Sequence, residues 1–161
     1  MVQRFEGGAR FSGMEYFSQP LSQMEPQTLY RVLCLRVAVF VVEQGAAYPE
    51  LDGRDDEPGA LMFWAMHEGS VLATLRLLDE GSQFRIGRVA TALTARGKGI
   101  AAELMQRAVA VETAAGGEIV LDAQTDKQDW YAKFGFAPAG EVFYEDNIEH
   151  IPMARPGRTA S

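Results

Sequence analysis

The chain has 161 residues, of which 47% are hydrophobic and 23% charged, and a formal net charge of −7. That is chain enough for one domain with a core of its own, and the composition is that of a globular protein. No apolar run approaches the roughly 20 residues of a membrane span, and no stretch gathers the Lys/Arg cluster that nucleic acid requires, so neither membrane nor nucleic acid is expected as a partner.

From the N-terminus, residues 1–13 carry two glycine steps and little periodicity, which predicts a flexible arm. Arg4, Glu6 and Arg10 fall within it and no apolar segment follows, unlike a signal peptide, so a cytoplasmic setting is expected. Residues 14–17 read as a short first strand. Ser22-x-x-Glu25 is a capping-box pattern, and Pro26 suits a first helical turn. The helix should reach about Val42, turning Leu29, Val32, Leu33, Val37 and Phe40 to the core. Cys34, the only cysteine, excludes an internal disulfide and a cysteine-rich zinc site. Its apolar helical surroundings predict a buried structural thiol. Residues 45–59 are irregular and acidic, with Asp52, Asp55, Asp56 and Glu57. Their spacing does not suit a calcium loop, and no metal is expected. Such a loop in an acidic chain would favour a cationic partner through its field, although solubility explains the same charge.

Residues 61–67 and 71–78 are β-rich runs split by Glu68-Gly69-Ser70, a hairpin signal. Glu80-Gly81-Ser82 turns the chain into another apolar run at 84–91, which reads as a buried strand. Arg96-Gly97-Lys98-Gly99-Ile100-Ala101 follows after a short spacer. Ile100, Leu104, Met105, Ala108 and Val111 then recur at helical spacing as far as Gly116-Gly117.

Glycines therefore sit where a loop becomes the first turn of a helix. The N–H groups there have no intrahelical partner and carry a partial positive charge of about half a unit. Without a β-carbon in the way a bulky anion can reach them, and Arg96 and Lys98 add full charges. The stretch reads as a phosphate or pyrophosphate cradle. A Walker A loop would need glycine at Ala92 and Ser or Thr at Gly99, and fails. Gly97-x-Gly99-x-x-Ala102 meets the bare dinucleotide fingerprint, but there the strand runs directly into the first glycine, whereas residues 92–95 intervene here. Arg96, Gly99 and Ala101 meet a third pattern, Arg-x-x-Gly-x-Gly/Ala. A glycine-rich helix start with no ligand is the plain alternative.

Beyond this helix, residues 119–123 form a short strand needing burial on both faces. Thr125-x-x-Gln128 is a second capping box, starting a brief helix at 126–134 that Gly135 terminates. Residues 141–144 and 151–154 read as closing strands, and 156–161 as a tail. The plan is α/β, a mixed central sheet flanked by helices, in a single domain over 14–155 with the cradle near its middle.

The third pattern is similar to the coenzyme A pyrophosphate loop of the GNAT superfamily of N-acyltransferases. Trp130-Tyr131-Ala132-Lys133-Phe134-Gly135-Phe136 resembles the superfamily's Phe/Trp-Tyr-x-x-x-Gly-Phe signature, in the right order and at the usual distance. A third set narrows the resemblance to the ElaA-type branch: Arg36-x-x-Val39-Phe40-Val41-Val42-Glu43-Gln44, Tyr48, Asp52-Gly53 and His150-Ile151-x-Met153-Ala154-Arg155. The resemblance implies a GNAT-like fold and an N-acetyltransferase that uses acetyl-CoA. The acyl group would pass to a primary amine, small-molecule or peptidyl, by direct attack in a ternary complex. No metal is implied, and there is room for a homodimer.

Roles follow residue by residue from that resemblance. Val89, Ala90 and Thr91 match the strand that presents backbone groups to the pantetheine arm, and Arg96, Gly97, Lys98, Gly99, Ile100 and Ala101 match the pyrophosphate loop. Tyr131 is the expected proton donor to the departing thiolate, since a phenol with a pKa of about 10 stays protonated at neutral pH. Two base candidates stand beside it. Glu43 follows a helix C-terminus whose dipole would raise its pKa, and His150 carries an imidazole, the side chain whose intrinsic chemistry best suits a base at neutral pH. A structural ion pair between Glu43 and Arg36, and an edge position for His150, are the bland alternatives. Gln44, Tyr48 and Asp52 are carried over from the branch as acceptor-pocket residues. Acyl-homoserine-lactone synthases share the architecture and an Arg-x-x-Val-Phe stretch, but are longer and usually lack the paired signatures. A coenzyme A-binding regulator without catalysis would be expected to lack Tyr131.

Overall fold

The computed structural model describes residues 13–157. Apart from Gly13, Pro156 and Gly157, the expected arm and tail lie outside the described residues. The strands are β1 (Glu15–Gln19), β2 (Leu61–His67), β3 (Ser70–Asp79), β4 (Gln83–Thr91), β5 (Glu118–Gln124), β6 (Ala137–Pro138), β7 (Phe143–Glu145) and β8 (Ile148–Arg155); the α-helices are α1 (Pro26–Arg36), α2 (Ile100–Ala115) and α3 (Gln128–Ala132). Among the described residues the strands make one mixed sheet in the order β1-β2-β3-β4-β5-β8-β6, with β7 also on β8. Every neighbour is antiparallel except β4 and β5. Glu68-Gly69 and Asp146-Asn147 close two-residue hairpins with positive φ throughout, the turn handedness that matches strand twist.

Each face of the sheet carries one long helix. Leu104, Met105 and Ala108 of α2 are fully buried against Phe63, Leu75, Leu77, Ile86 and Ile119. On the other face Val32, Leu35 and Val39 pack on Met62, Trp64 and Ala90. Side chains alternate across a strand, so β2, covered on both faces, must be apolar without interruption. Each such buried Leu or Met side chain contributes about 1.5–3 kcal/mol relative to exposure. No described helix is long and apolar enough to cross a membrane.

Pairing between β4 and β5 stops early: Gln83, Phe84 and Arg85 face Glu118, Ile119 and Val120, and beyond them the two strands separate. A cleft therefore opens in the sheet just where α2 begins.

Several expectations need correction. The inward stripe of α1 is Thr28, Val32, Leu35 and Arg36, continuing to Val39. Arg36 is drawn inside by its carboxylate partners (below), and the helix is rotated accordingly. Val37 is exposed and Leu33 lies beside the stripe, whereas Leu29 and Phe40 do pack, partly buried, against the core on this face; Cys34 lies on the open side rather than in the core. The helical path does continue past Arg36, but as a π-helix over Val37–Glu43. The β-branched Val37, Val39, Val41 and Val42 weaken the preference for a regular α turn there. Neither capping box forms, since no side-chain bond caps α1, the 3₁₀ turn at Thr125–Lys127 or α3. Val111 is exposed near the end of α2. Only one face of β5 is buried, through Ile119, Leu121 and Ala123; Asp122 and Gln124 look into the cleft.

Candidate active site

The cleft has a volume of about 1040 Å³ and is lined from β4, β5, the start of α2, the π-helical segment, α3 and the β7–β8 hairpin. The 3₁₀ turn Leu93–Ala95 forms the spacer before the cradle, pinned by hydrogen bonds of 2.8 Å from Ala92 N–H to the Leu72 carbonyl and from Ala95 N–H to the Ala92 carbonyl. Ile100, buried in the core, anchors the first helical turn. Gly97 and Gly99 have φ of +75° and +79°, the left-handed region that glycine occupies without strain. A β-carbon at either would meet no atom within 4 Å. Conformation rather than crowding demands glycine there, and the space over the loop is open to a ligand. Those are the features a diphosphate cradle needs. Gly97 to Ala101 all border the cleft, as do Val89, Ala90 and Thr91.

Arg96 Nη2 lies 2.7 Å from Glu43 Oε2, and Arg96 Nε donates to the Thr91 carbonyl at 3.2 Å. The pair reverses the expected shift of Glu43. Its hydrogen bond from Arg96 lowers the carboxyl pKa, and this direct contact outweighs the diffuse helix dipole. Glu43 is not the partner of Arg36 either.

Tyr131 borders the same cleft. Its ring meets Trp130 edge-on, with centroids 4.9 Å apart, and approaches Phe136 at 6.4 Å. Burial pushes its phenol up to about 12. Trp130 and Phe134 pack against the α2-side core, to which Phe136 belongs. His150 stands opposite Gln124 in the β5–β8 register and also lines the cleft. Its Nδ1 is 2.8 Å from the Ile148 carbonyl; a carbonyl can only accept, so Nδ1 is the donor there and Nε2 is the ring nitrogen left for a ligand. The ring stacks on Phe143, with centroids 5.6 Å apart.

Of the three acceptor-pocket residues carried over from the branch, Gln44 and Tyr48 line the cleft and Asp52 does not. The Gln44 Oε1 accepts from Gln124 Nε2 at 3.3 Å, bridging the opening. The Tyr48 hydroxyl donates to Glu50 Oε2 at 2.7 Å; burial, then this carboxylate, raises its pKa. Asp52 instead takes two hydrogen bonds from Arg76, at 2.8 and 3.0 Å. Burial works to raise its pKa, but the Arg76 bonds and the Arg54 N–H prevail and hold it at about 2.

Asp52 belongs to a network the sequence reading missed. Arg36, wholly buried, binds Glu50 at 2.7 Å and Asp55 at 2.6 Å. Arg76 also reaches Asp55, and Arg88 reaches Glu50 and Asp52. The 45–59 loop thus turns these carboxylates towards arginines of α1, β3 and β4, which removes them as the source of a field for a cationic partner. A signal was present: Arg36, Arg76 and Arg88 each interrupt an apolar run, and a buried charge requires a partner.

A family model described as an acetyltransferase (GNAT) domain matches residues 21–155. The UPF0039 protein Rv2851c of Mycobacterium tuberculosis is 43% identical over 139 residues, which is 83% of this chain and 88% of that protein. Protein ElaA of Escherichia coli is 37% identical over 142 residues, 83% of this chain and 91% of that one, and its crystal structure matches with a TM-score of 0.83 at 33% identity, covering 88% and 99% of the two chains. An acyl-CoA N-acyltransferase from Pseudomonas aeruginosa matches with a TM-score of 0.84 at 36% identity over 89% of this chain and 99% of that one. Fold, cradle and relatives agree: the chain belongs to the GNAT acetyltransferase family, in its ElaA-type branch, and is an acyltransferase.

Proposed function

We propose that this acyltransferase moves an acetyl group from acetyl-CoA to a primary amine, with donor and acceptor bound together and no covalent enzyme intermediate. The observation that carries the reading is that the glycine-lined start of α2, the Tyr131 phenol and His150 all border one cleft. Acetyl-CoA supplies an activated acyl group and a thiolate as leaving group.

The N–H groups from Gly97 to Ala101, with Arg96 and Lys98, hold the diphosphate, where the helix dipole favours negative charge. Glu43 keeps Arg96 beside the loop. Residues 89–91 of β4, released from β5, offer main-chain groups to the pantetheine amides in the manner of an added strand. Main-chain N–H donors near Val89 and Ala90 stabilise negative charge developing on the acyl oxygen, an effect worth about 3–4 kcal/mol for a preorganised donor. Tyr131 gives its proton to the departing sulfur. His150 Nε2 takes the proton of the acceptor ammonium, directly or through water. Gln44 and Tyr48 line the acceptor side. Cys34, on the outer side of α1, is poorly placed to carry an acyl group.

Incubation with acetyl-CoA and a panel of amines, scored for free thiol and product mass, tests this. Amine-dependent thiol release with a product heavier by one acetyl group is expected. Thiol release that no amine stimulates, or that requires S-adenosylmethionine, contradicts it.

A further inference from the structure

The pairing of β3 with β4 contains one residue too many. Arg76 faces Gly87 and Thr74 faces Ala90, so Leu75 alone spans both Arg88 and Val89. This is a β-bulge, whose extra residue is left out of the ladder. Arg88 has a φ of +53°, a conformation that glycine enters freely and a long side chain rarely adopts. Beyond Arg85 the other edge of β4 has no partner strand, so the main chain at the bulge borders the cleft.

Such a conformation persists only where the surroundings over-determine it. Here one short segment of loop does so. Arg88 Nη2 donates to the Glu50 carbonyl and to Asp52 Oδ2, both at 3.2 Å. Its Nε is 3.2 Å from Glu50 Oε1, and the guanidinium lies 5.1 Å above the centre of the Tyr48 ring. The anchors are themselves anchored: Arg36 Nε grips Glu50 at 2.7 Å, and Arg76 grips Asp52. A surface arginine has no need of so many fixed partners. Its own backbone gains from them.

We propose that Arg88 is a positioning residue: clamped by Tyr48, Glu50 and Asp52, its side chain holds its own backbone left-handed and so keeps the β4 bulge aiming the main chain of residues 88–90 at the acyl carbonyl. The 45–59 loop then acts on the donor side of the reaction, through Arg88. This rests on the acetyl-transfer reading and deepens it.

Glycine and alanine at position 88 separate backbone from side chain. Both remove the guanidinium, but only glycine accepts the positive φ without strain. Arg88→Ala is expected to lower kcat by about 100-fold, the cost of a small misplacement at the reacting centre, with the acceptor KM nearly unchanged. Arg88→Gly is expected to recover about tenfold of that loss, because the bulge conformation is open to it. The carbonyl stretch of bound carbon-13-labelled acetyl-CoA, read by infrared difference spectroscopy, gives a readout independent of turnover. It should be shifted to lower frequency in the parent and in Arg88→Gly, and return towards the free value in Arg88→Ala. Glycine no faster than alanine overturns the proposal, as does a raised acceptor KM at unchanged kcat, which would make Arg88 an acceptor contact. If the alanine variant does not fold, the parent and glycine variant decide: a carbonyl shift lost in Arg88→Gly overturns it, and one retained supports it. A parent that shows neither a carbonyl shift nor amine-dependent thiol release overturns the acetyl-transfer reading itself, and the proposal with it.

Discussion

The Tyr131 phenol packs beside Trp130 and Phe136, and that burial fixes what it can do. With its pKa pushed up to about 12, it holds its proton throughout the range in which an amine can be deprotonated. It is thus a donor at every working pH and a base at none. Tyr131→Phe is expected to lower kcat by about 10²–10⁴, the usual contribution of a positioned acid, while the acetyl-CoA KM stays nearly unchanged; an undiminished rate would assign the proton to another group. The same shift sets the pH profile of kcat/KM. It should rise as acceptor and base lose protons, with no falling limb below about pH 11. A limb falling between pH 8 and 10 would contradict a phenol so buried. Glu43, held ionised by Arg96, provides the control for the base. Glu43→Gln should raise the acetyl-CoA KM with kcat within about twofold, as expected for uniform binding. A fall in kcat of about 100-fold instead would make Glu43 the general base.

At the level of elements, the proposed cradle depends on backbone conformation rather than on side chains. Gly99 at φ +79° has open space where a side chain would stand, so Gly99→Ala produces strain without a clash. A cost of about 1–2 kcal/mol is expected, read as roughly a tenfold weaker acetyl-CoA interaction with a small change in Tm; unchanged affinity would place the diphosphate elsewhere. The glycine-lined start of α2 and the Tyr131 helix were legible in the sequence because each is a local pattern: glycines at a helix start, or an aromatic cluster ending at Gly135. Strands β2, β3, β4, β5 and β8 were legible from their apolar runs. What escaped depends on contacts distant in sequence. Nothing local marks Arg88 as left-handed, because its clamp lies 36 to 40 residues earlier, in Tyr48, Glu50 and Asp52. The rotation of α1 escaped because apolar spacing alone leaves Arg36 out of the inward stripe, whereas carboxylate partners 14 and 19 residues away carry it inward. The valine run from Val37 fits either helical period. In β6, two residues are too few to show a pattern.

Across the whole molecule, the arginine–carboxylate network joins α1, the 45–59 loop, β3 and β4 behind the cleft. Arg36→Leu would take from the buried Glu50 and Asp55 their shortest ion pairs, leaving only the longer contacts to Arg88 and Arg76, and removing one member of a buried pair costs about 3–5 kcal/mol. A large drop in Tm is therefore expected; a Tm within a few degrees of the parent would mean that solvent reaches the site. The same pairing sets acid stability. Asp52 is held at about 2 against an ordinary 3.8. Glu80 is also held at about 2 against 4.5: burial would raise it, but hydrogen bonds from Gln83, Arg54 and Arg85 prevail. A carboxyl with a depressed folded pKa stabilises the fold above its unfolded pKa, and the contribution disappears as protons are forced on. Urea midpoints should be flat above about pH 5 and fall between about pH 4.5 and 2; a midpoint that rises on acidification would contradict this sign. The chemistry depends on how the cleft takes up its donor, and a crystal structure with coenzyme A bound tests that most directly. The expected result places the diphosphate on the N–H groups of residues 97–101, the pantetheine along β4 and the sulfur within hydrogen-bond reach of the Tyr131 hydroxyl. A diphosphate bound away from the α2 start, or a sulfur beyond reach of Tyr131, would contradict it.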